Sequence, residues 1–455
     1  MTFSLWKHQQ EMITHAQTCY QAGLGGAWWL AGCSTGKTYA ALEFMRQQGF
    51  KRILVISTVA ASEDVWPATV KQHFPEYQFV AIAGTPKQRA KALESLPERF
   101  VAVVSYRLSW SEKLPPVEAI IADESHKLQA NDSKVSKHAA KLRAKFKLLM
   151  TGTAFDDKLT AAYGQMRFIN PMVLGSYDGF FNKYVNWFST PDQPYRKIPQ
   201  KKNTYKNQAD LAAKLAPYLY RVDSEEVLDL PPQMDIVKPL QFTKADMKRY
   251  QDFKRDYIME LDGQVVTASN AGVLAMRLHQ LTGNATSPKL QATVDILDEI
   301  GRKPTVIFTR FSEEVRLLED LLVKEGLSVL KVVGGVHQHL EFQAGQGDVC
   351  IVNIEAGAEG IDLTRARYVI YYSTGYKRTS YLQSRYRVRR ANSTDKVNPI
   401  TFYHLRIDGT IDNVIAKVLE GKGEENDLLL TELEKVWYNT QVTGELTNAK
   451  TDDLS

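Results

Sequence analysis

Cysteine is scarce in this 455-residue chain: only Cys19, Cys33 and Cys350, far apart in sequence. That spacing excludes a disulfide framework and a zinc knuckle, and a reducing, cytoplasm-like compartment is the expectation. Long apolar runs are missing too. No stretch approaches the roughly 18–20 residues that a membrane-spanning helix needs. The segment Met1–Glu11 is polar and holds no apolar signal core, so export is not expected. Net charge is small, 57 Lys and Arg against 52 Asp and Glu, or +5. With 44% hydrophobic and 24% charged residues the chain reads as globular, which excludes wholesale disorder. No repeat of solenoid period and no low-complexity tract stands out. At this length, roughly 100–200 residues per domain implies two to four domains.

The positive charge gathers locally. One cluster holds Lys134, Lys137, Lys141, Arg143, Lys145 and Lys147, and a second holds Arg196, Lys197, Lys201, Lys202 and Lys206. A third runs through Lys377, Arg378, Arg385, Arg387, Arg389, Arg390 and Lys396. Each reads equally as a source of phosphate contacts or as a solvated helix face.

Short apolar runs alternate with amphipathic stretches. Ala27–Ala31, Arg52–Thr58, Phe100–Ser105, Ala119–Asp123 and Lys147–Thr151 read as buried strands, separated by helical patterns such as Thr38–Gln48 and Ser133–Arg143. The pattern restarts with Thr305–Thr309, Ser328–Val333, Val349–Asn353, Tyr368–Tyr372 and Pro399–Leu405. Strands that are apolar almost throughout, alternating with helices, indicate parallel sheets covered on both faces. The fold class is therefore α/β with two lobes. Between them, Phe155 to about Pro288 is helix-biased and aromatic-rich. Paired prolines in Asp229-Leu230-Pro231-Pro232-Gln233 break any element there, and the lobe boundary is placed at this point. The expected division is 1–154 for the first lobe, 155–228 for a helical insertion, 229–288 for a linker and helical lead-in, 289–442 for the second lobe and 443–455 for a polar tail.

Three constellations carry chemistry. Ala31-Gly32-Cys33-Ser34-Thr35-Gly36-Lys37-Thr38 follows a strand and opens a helix. In such a loop the backbone N–H groups and the helix N-terminus face phosphates, Lys37 neutralises β and γ charges and Thr38 holds magnesium. Gly32 and Gly36 line the cradle. Next, the strand Ala119–Ala122 ends in Asp123-Glu124-Ser125-His126. At the C-terminal edge of a doubly wound sheet Asp123 lies beside the loop, able to hold the same ion, while Glu124 can polarise an attacking water. Last, Gln383 to Arg390 carries four arginines. Arg387 and Arg390 are three apart, on one face if this is a helix, and suit a developing phosphoryl charge. Arg385 and Arg389 read as a nucleic-acid-facing pair.

These elements, in this order on two lobes, resemble the helicase-type motor ATPases of superfamily two. Gln9, in Leu5-Trp6-Lys7-His8-Gln9, is similar to the adenine-reading glutamine of that family, and Thr151-Gly152-Thr153 to its coupling motif. Thr58, Ser105 and Tyr106 match positions where the first lobe meets a nucleic-acid strand. Glu355 to Leu363, with Gly357 and Gly360, resembles the second-lobe motif that touches strand and nucleotide. Within the superfamily the likeness is greatest to Swi/Snf-type double-stranded DNA translocases. Phe168-Ile169-Asn170-Pro171, Leu174-Gly175 and Phe180-Phe181 resemble the helical insertion of that family. Leu219-Tyr220-Arg221 with Leu230-Pro231-Pro232, Met276-Arg277-Leu278 with Asn284, and Val306 to Phe311 with Arg310 resemble the passage into its second lobe. The similarity covers roughly residues 5 to 420. It departs at Asn392-Ser393, where a glycine-glutamine pair is usual, and at Asp362, where asparagine is common.

The resemblance implies two RecA-like lobes, ATP and Mg2+ as cofactors, and DNA as partner, chiefly duplex and read without sequence preference; RNA stays open. It implies that Lys37, Thr38, Asp123 and Glu124 act together with Arg387 and Arg390, and a compact bacterial or viral form. Two other activities stay open: a strand-separating helicase on DNA or RNA, and a P-loop kinase or ATP-gated switch. Trp28 and Trp29 read as core. Trp187 and Phe188, beside the second basic cluster, read either as a packed insertion or as aromatics interleaved with cations against DNA.

Overall fold

The computed structural model describes residues 4–152, 160–191, 193–200, 204–260, 268–355, 361–391, 393 and 395–420. The described chain forms two compact units, which change over in the main chain between Leu230 and Pro231.

In the first unit, strands β1 (Gly26–Ala31), β2 (Arg52–Ser57), β3 (Gln78–Ile82), β4 (Phe100–Ser105), β5 (Ala119–Asp123) and β6 (Phe146–Thr151) build most of one sheet. After them come β7 (Trp187–Thr190), β8 (Gln193–Pro199) and β9 (Leu219–Val222). The sheet order is β3-β4-β2-β5-β6-β1-β9, every pair parallel. Successive side chains of a strand leave opposite faces, so Trp29 enters one core with Phe44, Trp66 and Phe146 while Trp28 enters the other with Phe168 and Phe180. Both tryptophans are fully buried, as their sequence setting implied.

The second unit repeats the plan with β10 (Gln233–Leu240), β11 (Thr305–Thr309), β12 (Val329–Val333), β13 (Val336–His337), β14 (Val349–Asn353), β15 (Tyr368–Tyr371) and β16 (Ile400–Ile407). Their order is β10-β16-β15-β11-β14-β12-β13, parallel but for the short β12–β13 edge. Two α/β lobes are thus present, each with helices packed on its sheet.

The strands that pattern reading missed lie at sheet edges or ends. β3, β9 and β10 bury few consecutive side chains, with β10 alternating exposed and half-buried positions, so they lack the solid apolar run of a central strand. Two expectations need correction here. The segment 155–228 is not purely helical: β7 and β8 form an antiparallel ribbon and β9 joins the first sheet beside β1. The segment 229–288 is not only linker and helix, because β10 pairs along its whole length with β16. Among the described residues no helix is long and apolar enough to cross a membrane, and all three cysteines are free thiols.

Candidate nucleotide site

The first unit concentrates its chemistry at the C-terminal ends of β1, β6 and β5. After β1 the chain turns through Gly32 to Gly36 and enters the helix Lys37–Gln47. Ser34 and Gly36 both take positive φ, 62° and 75°, which aims successive N–H groups inward as a concave anion nest. Gly32 is needed for close approach. A Cβ there would lie 2.2 Å from Ser224 Oγ, while its N–H donates to Val222 O at 3.0 Å. Ser224 Oγ donates to Cys33 O at 2.6 Å, so the end of β9 braces the loop. A Cβ on Gly36 would fall 2.1 Å from Gln9 Nε2.

Gln9 is buried against this loop. Its Nε2 reaches Gly36 O at 3.4 Å and its Oε1 accepts the Trp6 N–H at 3.0 Å. His8, which sequence reasoning passed over, meets Thr35 O through Nε2 at 2.9 Å. The Lys37 ammonium is folded onto the loop, donating to Ala31 O at 2.8 Å and Gly32 O at 3.2 Å. Thr38 follows, half-buried, in the first helical turn.

Asp123 ends β5, one strand away from β1, with β6 between them. Its Oδ2 accepts from Ser57 Oγ at 3.0 Å and from Trp66 Nε1 at 3.1 Å, and its Oδ1 accepts the Glu124 N–H at 3.1 Å. Burial raises this carboxyl to about 6, and the Glu124 charge pushes the same way; Lys37 and the Trp66 and Ser57 donors oppose them. Sequence reasoning reached neither donor: Ser57 ends β2, which the fold sets beside β5 in register, and Trp66 stands on the helix Val65–His73, where nothing in the pattern ties it to Asp123.

Glu124 adopts left-handed backbone angles, φ 52° and ψ 52°, a conformation that costs a non-glycine residue on the order of 1 kcal/mol or more and gathers at functional sites. Its Oε2 lies 3.4 Å from His126 Nδ1, which is 3.2 Å from Thr151 Oγ1. Thr151 at the end of β6 thereby joins the acidic motif, and a Cβ on the next residue, Gly152, would be 3.8 Å from Cys33 N. Ser125 Oγ donates to buried Gln165, anchoring the turn to the helix Ala161–Ile169.

ATP and Mg2+ fit these residues. The loop between β1 and the helix is built close against Ser224 and Gln9 at its two glycines, a lysine sits at the helix mouth, and a desolvated carboxylate lies within its field. Mg2+ prefers few protein oxygens, keeping waters and substrate phosphates as its other ligands. Thr38 and Asp123 supply that number, and among the described residues no group of three or more His, Cys, Asp or Glu could hold an ion by itself. A surface pocket of about 460 Å³ lies at the opposite edge of the sheet, lined by Lys51, Arg52, Phe100 and Glu118; it holds none of the site residues.

The other proposed positions divide. Ser105 caps the helix Tyr106–Ser109 by accepting from Leu108 N–H, Tyr106 donates its hydroxyl to Asp123 O at 2.6 Å, and Thr58 is buried beneath a short helix. These side chains are engaged in holding the strand ends. Lys147, counted in a basic cluster, is buried with Nζ on Phe168 O at 2.7 Å, and desolvation lowers it to about 8. Thr153, Gly357 and Gly360 lie outside the described residues.

Farther along the chain the helix Arg378–Val388 ends before Arg390, so Arg387 and Arg390 do not share a helix face as expected. Arg390 donates through Nη2 to Ile361 O, and Arg387 O accepts from Leu363 N. Arg385 and Arg389 do not face outward. Arg385 grips Asp235 through two bonds of 2.6 and 2.8 Å and lies 3.9 Å over the Phe402 ring, and Arg389 Nε donates to Pro231 O at 2.5 Å. Both hold the strand β10 and its approach. Arg310 lies over Phe311 and Tyr376, its Nη1 buried with no hydrogen-bond partner among the described residues.

Several known proteins are similar to this chain. An uncharacterized ATP-dependent helicase of Mycoplasma genitalium is 22% identical over 79% of this chain and 35% of its own length. A Bacillus subtilis protein provisionally named ATP-dependent helicase/translocase is 24% identical over 76% of this chain and 39% of its own. The DNA repair and recombination protein RAD26 of Saccharomyces cerevisiae is 23% identical over 67% and 31%. The chain spans about a third of the length of these curated relatives. A solved Sulfolobus solfataricus SWI2/SNF2 ATPase core in complex with dsDNA aligns over 96% of this chain and 97% of that chain, at 19% identity and a TM-score of 0.44, too low to carry weight. Residues 288–392 match the helicase conserved C-terminal domain. Residues 6–286, more than half the chain, match the SNF2-related domain, and the chain belongs to that family.

Proposed function

We propose that this protein is an ATP-dependent DNA motor that hydrolyses ATP to ADP and phosphate and moves along duplex DNA. The observation that carries the reading is the convergence of Lys37, Asp123 and Glu124 on one glycine-built cradle in an SNF2-related chain. The N–H groups of the nest and of the first helical turn bind the phosphates, and Lys37 exchanges its bonds to Ala31 O and Gly32 O for β and γ oxygens. Gln9, already seated on Gly36, orients the base. Glu124 holds a water in line with the γ-phosphorus and takes up its proton as the bond to the β,γ-bridging oxygen breaks. Mg2+, when bound through Thr38 and Asp123, would neutralise charge on the transferred group. Arg387 and Arg390 are proposed to be required for hydrolysis.

The test is steady-state ATPase without nucleic acid and with single-stranded DNA, blunt duplex or RNA. Lys37→Ala and Glu124→Gln should each lower the rate by about a hundredfold or more. Stimulation greatest with duplex is the expected result. A preference for single strands would favour strand separation, and a rate indifferent to all nucleic acids would overturn the motor.

A further inference from the structure

The ribbon β7–β8 belongs to neither seven-stranded sheet. A two-stranded ribbon is marginal in water unless something packs on it. Here the Lys197 ammonium lies 5.2 Å from the centre of the Trp187 ring and pairs with Asp178 on the helix Tyr177–Tyr184. Other ribbon side chains are exposed. Tyr195 is 98% exposed, Phe188 46%, and Arg196 is exposed as well. Alternation along β8 sets Tyr195 with Lys197 on one face and Arg196 with Ile198 on the other. Ile198 stands opposite Phe188. One face thus presents exposed Phe188 with Arg196, and the other presents exposed Tyr195 beside Lys197, whose charge is paired with Asp178. Charge across residues 187–206 is lopsided, five Lys or Arg against the single acid Asp192.

We infer that this ribbon is a contact for duplex DNA, entering a groove with Arg196 on phosphate and with Tyr195 and Phe188 against the groove walls. The inference rests on the motor reading and extends it. A major groove about 12 Å wide admits a two-stranded ribbon. Exposed aromatics on both faces, with Arg196 on one of them in a basic segment, suit a groove whose walls flank an entering ribbon on either side, whereas stacking on unpaired bases needs one face only.

The test compares the wild-type full chain with Tyr195→Ser/Arg196→Ser and with Phe188→Ser, exposed changes whose melting temperatures should match wild type. Binding of labelled blunt duplex and single strand is followed by anisotropy across a salt series, with ATPase rates at rising duplex concentration. The double variant should raise the duplex dissociation constant about tenfold and make the salt slope shallower by about one. Half-saturating duplex should rise in step, while the rates without DNA and at saturating duplex stay at wild-type values. Unchanged duplex affinity and slope, in a wild type that binds and responds to duplex, would overturn the ribbon contact and leave the motor standing. Loss confined to single strands would overturn the duplex assignment. A wild type that neither binds nor responds would overturn the motor reading, and this one with it.

Discussion

Gly32 carries no side chain because Ser224 occupies the space a Cβ would need, and that contact links two residues 192 positions apart. Gly32→Ala should therefore displace the loop and weaken ATP binding about tenfold or more, measured by titration with a fluorescent ATP analogue. Removing the obstacle with Ser224→Gly should restore part of the loss, a coupling that independent sites would not show. Trp66 acts at the same scale. Its indole N–H is one of two side-chain donors on Asp123 Oδ2, and Trp66→Phe keeps the ring in the core while deleting that donor. The expected outcome is a raised Mg2+ concentration for half-maximal nucleotide binding, with a stability loss of about 1–3 kcal/mol for the carboxylate bond and packing removed. The Gly-Lys-Thr sequence and the acidic pair were legible from residue types, because phosphate and metal chemistry admit few alternatives. Trp66, His8 and Ser224 were not, because each acts through a contact made across the fold.

At the scale of elements, the arginine-rich helix shows how charge misleads. From sequence its four arginines look alike; in the fold Arg385 and Arg389 are buried on β10 and the residues before it, and the helix stops at Val388. Arg385→Ala should destabilise the second unit by leaving Asp235 and His404 paired without their cation. A buried pair ties helix to helix: Lys289 and Asp412 meet at 2.8 Å with 1% and 6% of their side chains exposed. Asp412→Ala strands the lysine and should cost about 3–5 kcal/mol in urea unfolding. Close by, burial lowers the His279 imidazole from 6.5 to about 3, with the Asp412 charge opposing and Lys289 and Arg310 adding. An unfolded chain takes up that proton near 6.5 and the folded one only near 3, so the unfolded state binds more protons between these values. Stability should fall as pH drops through that window. Urea midpoints across it should show a flatter acid limb for His279→Gln.

For the whole molecule, a formal charge of only +5 makes the proposed nucleic-acid binding a matter of local patches rather than global attraction. Contacts to phosphate are sequence-blind and release counterions. Affinity for unrelated duplexes of equal length should therefore agree within a few-fold and fall steeply with salt, measured by competition binding at several ionic strengths. A large preference for one duplex would contradict phosphate-dominated recognition.

Sequence alone determined the two α/β lobes, the central strands and the residue types of the candidate nucleotide site. Solid apolar runs and a glycine loop between strand and helix are local patterns, and local patterns survive in a one-dimensional string. Tertiary structure decided the rest. It assigned the edge strands β3, β9 and β10, whose half-exposed faces leave no such run, and it sorted cations into buried anchors such as Lys147 and Arg385 and exposed groups such as Arg196. It also supplied the donors that hold Asp123. Those outcomes depend on which distant residue fills the neighbouring space, and that is settled only when the sheet order brings strand ends together.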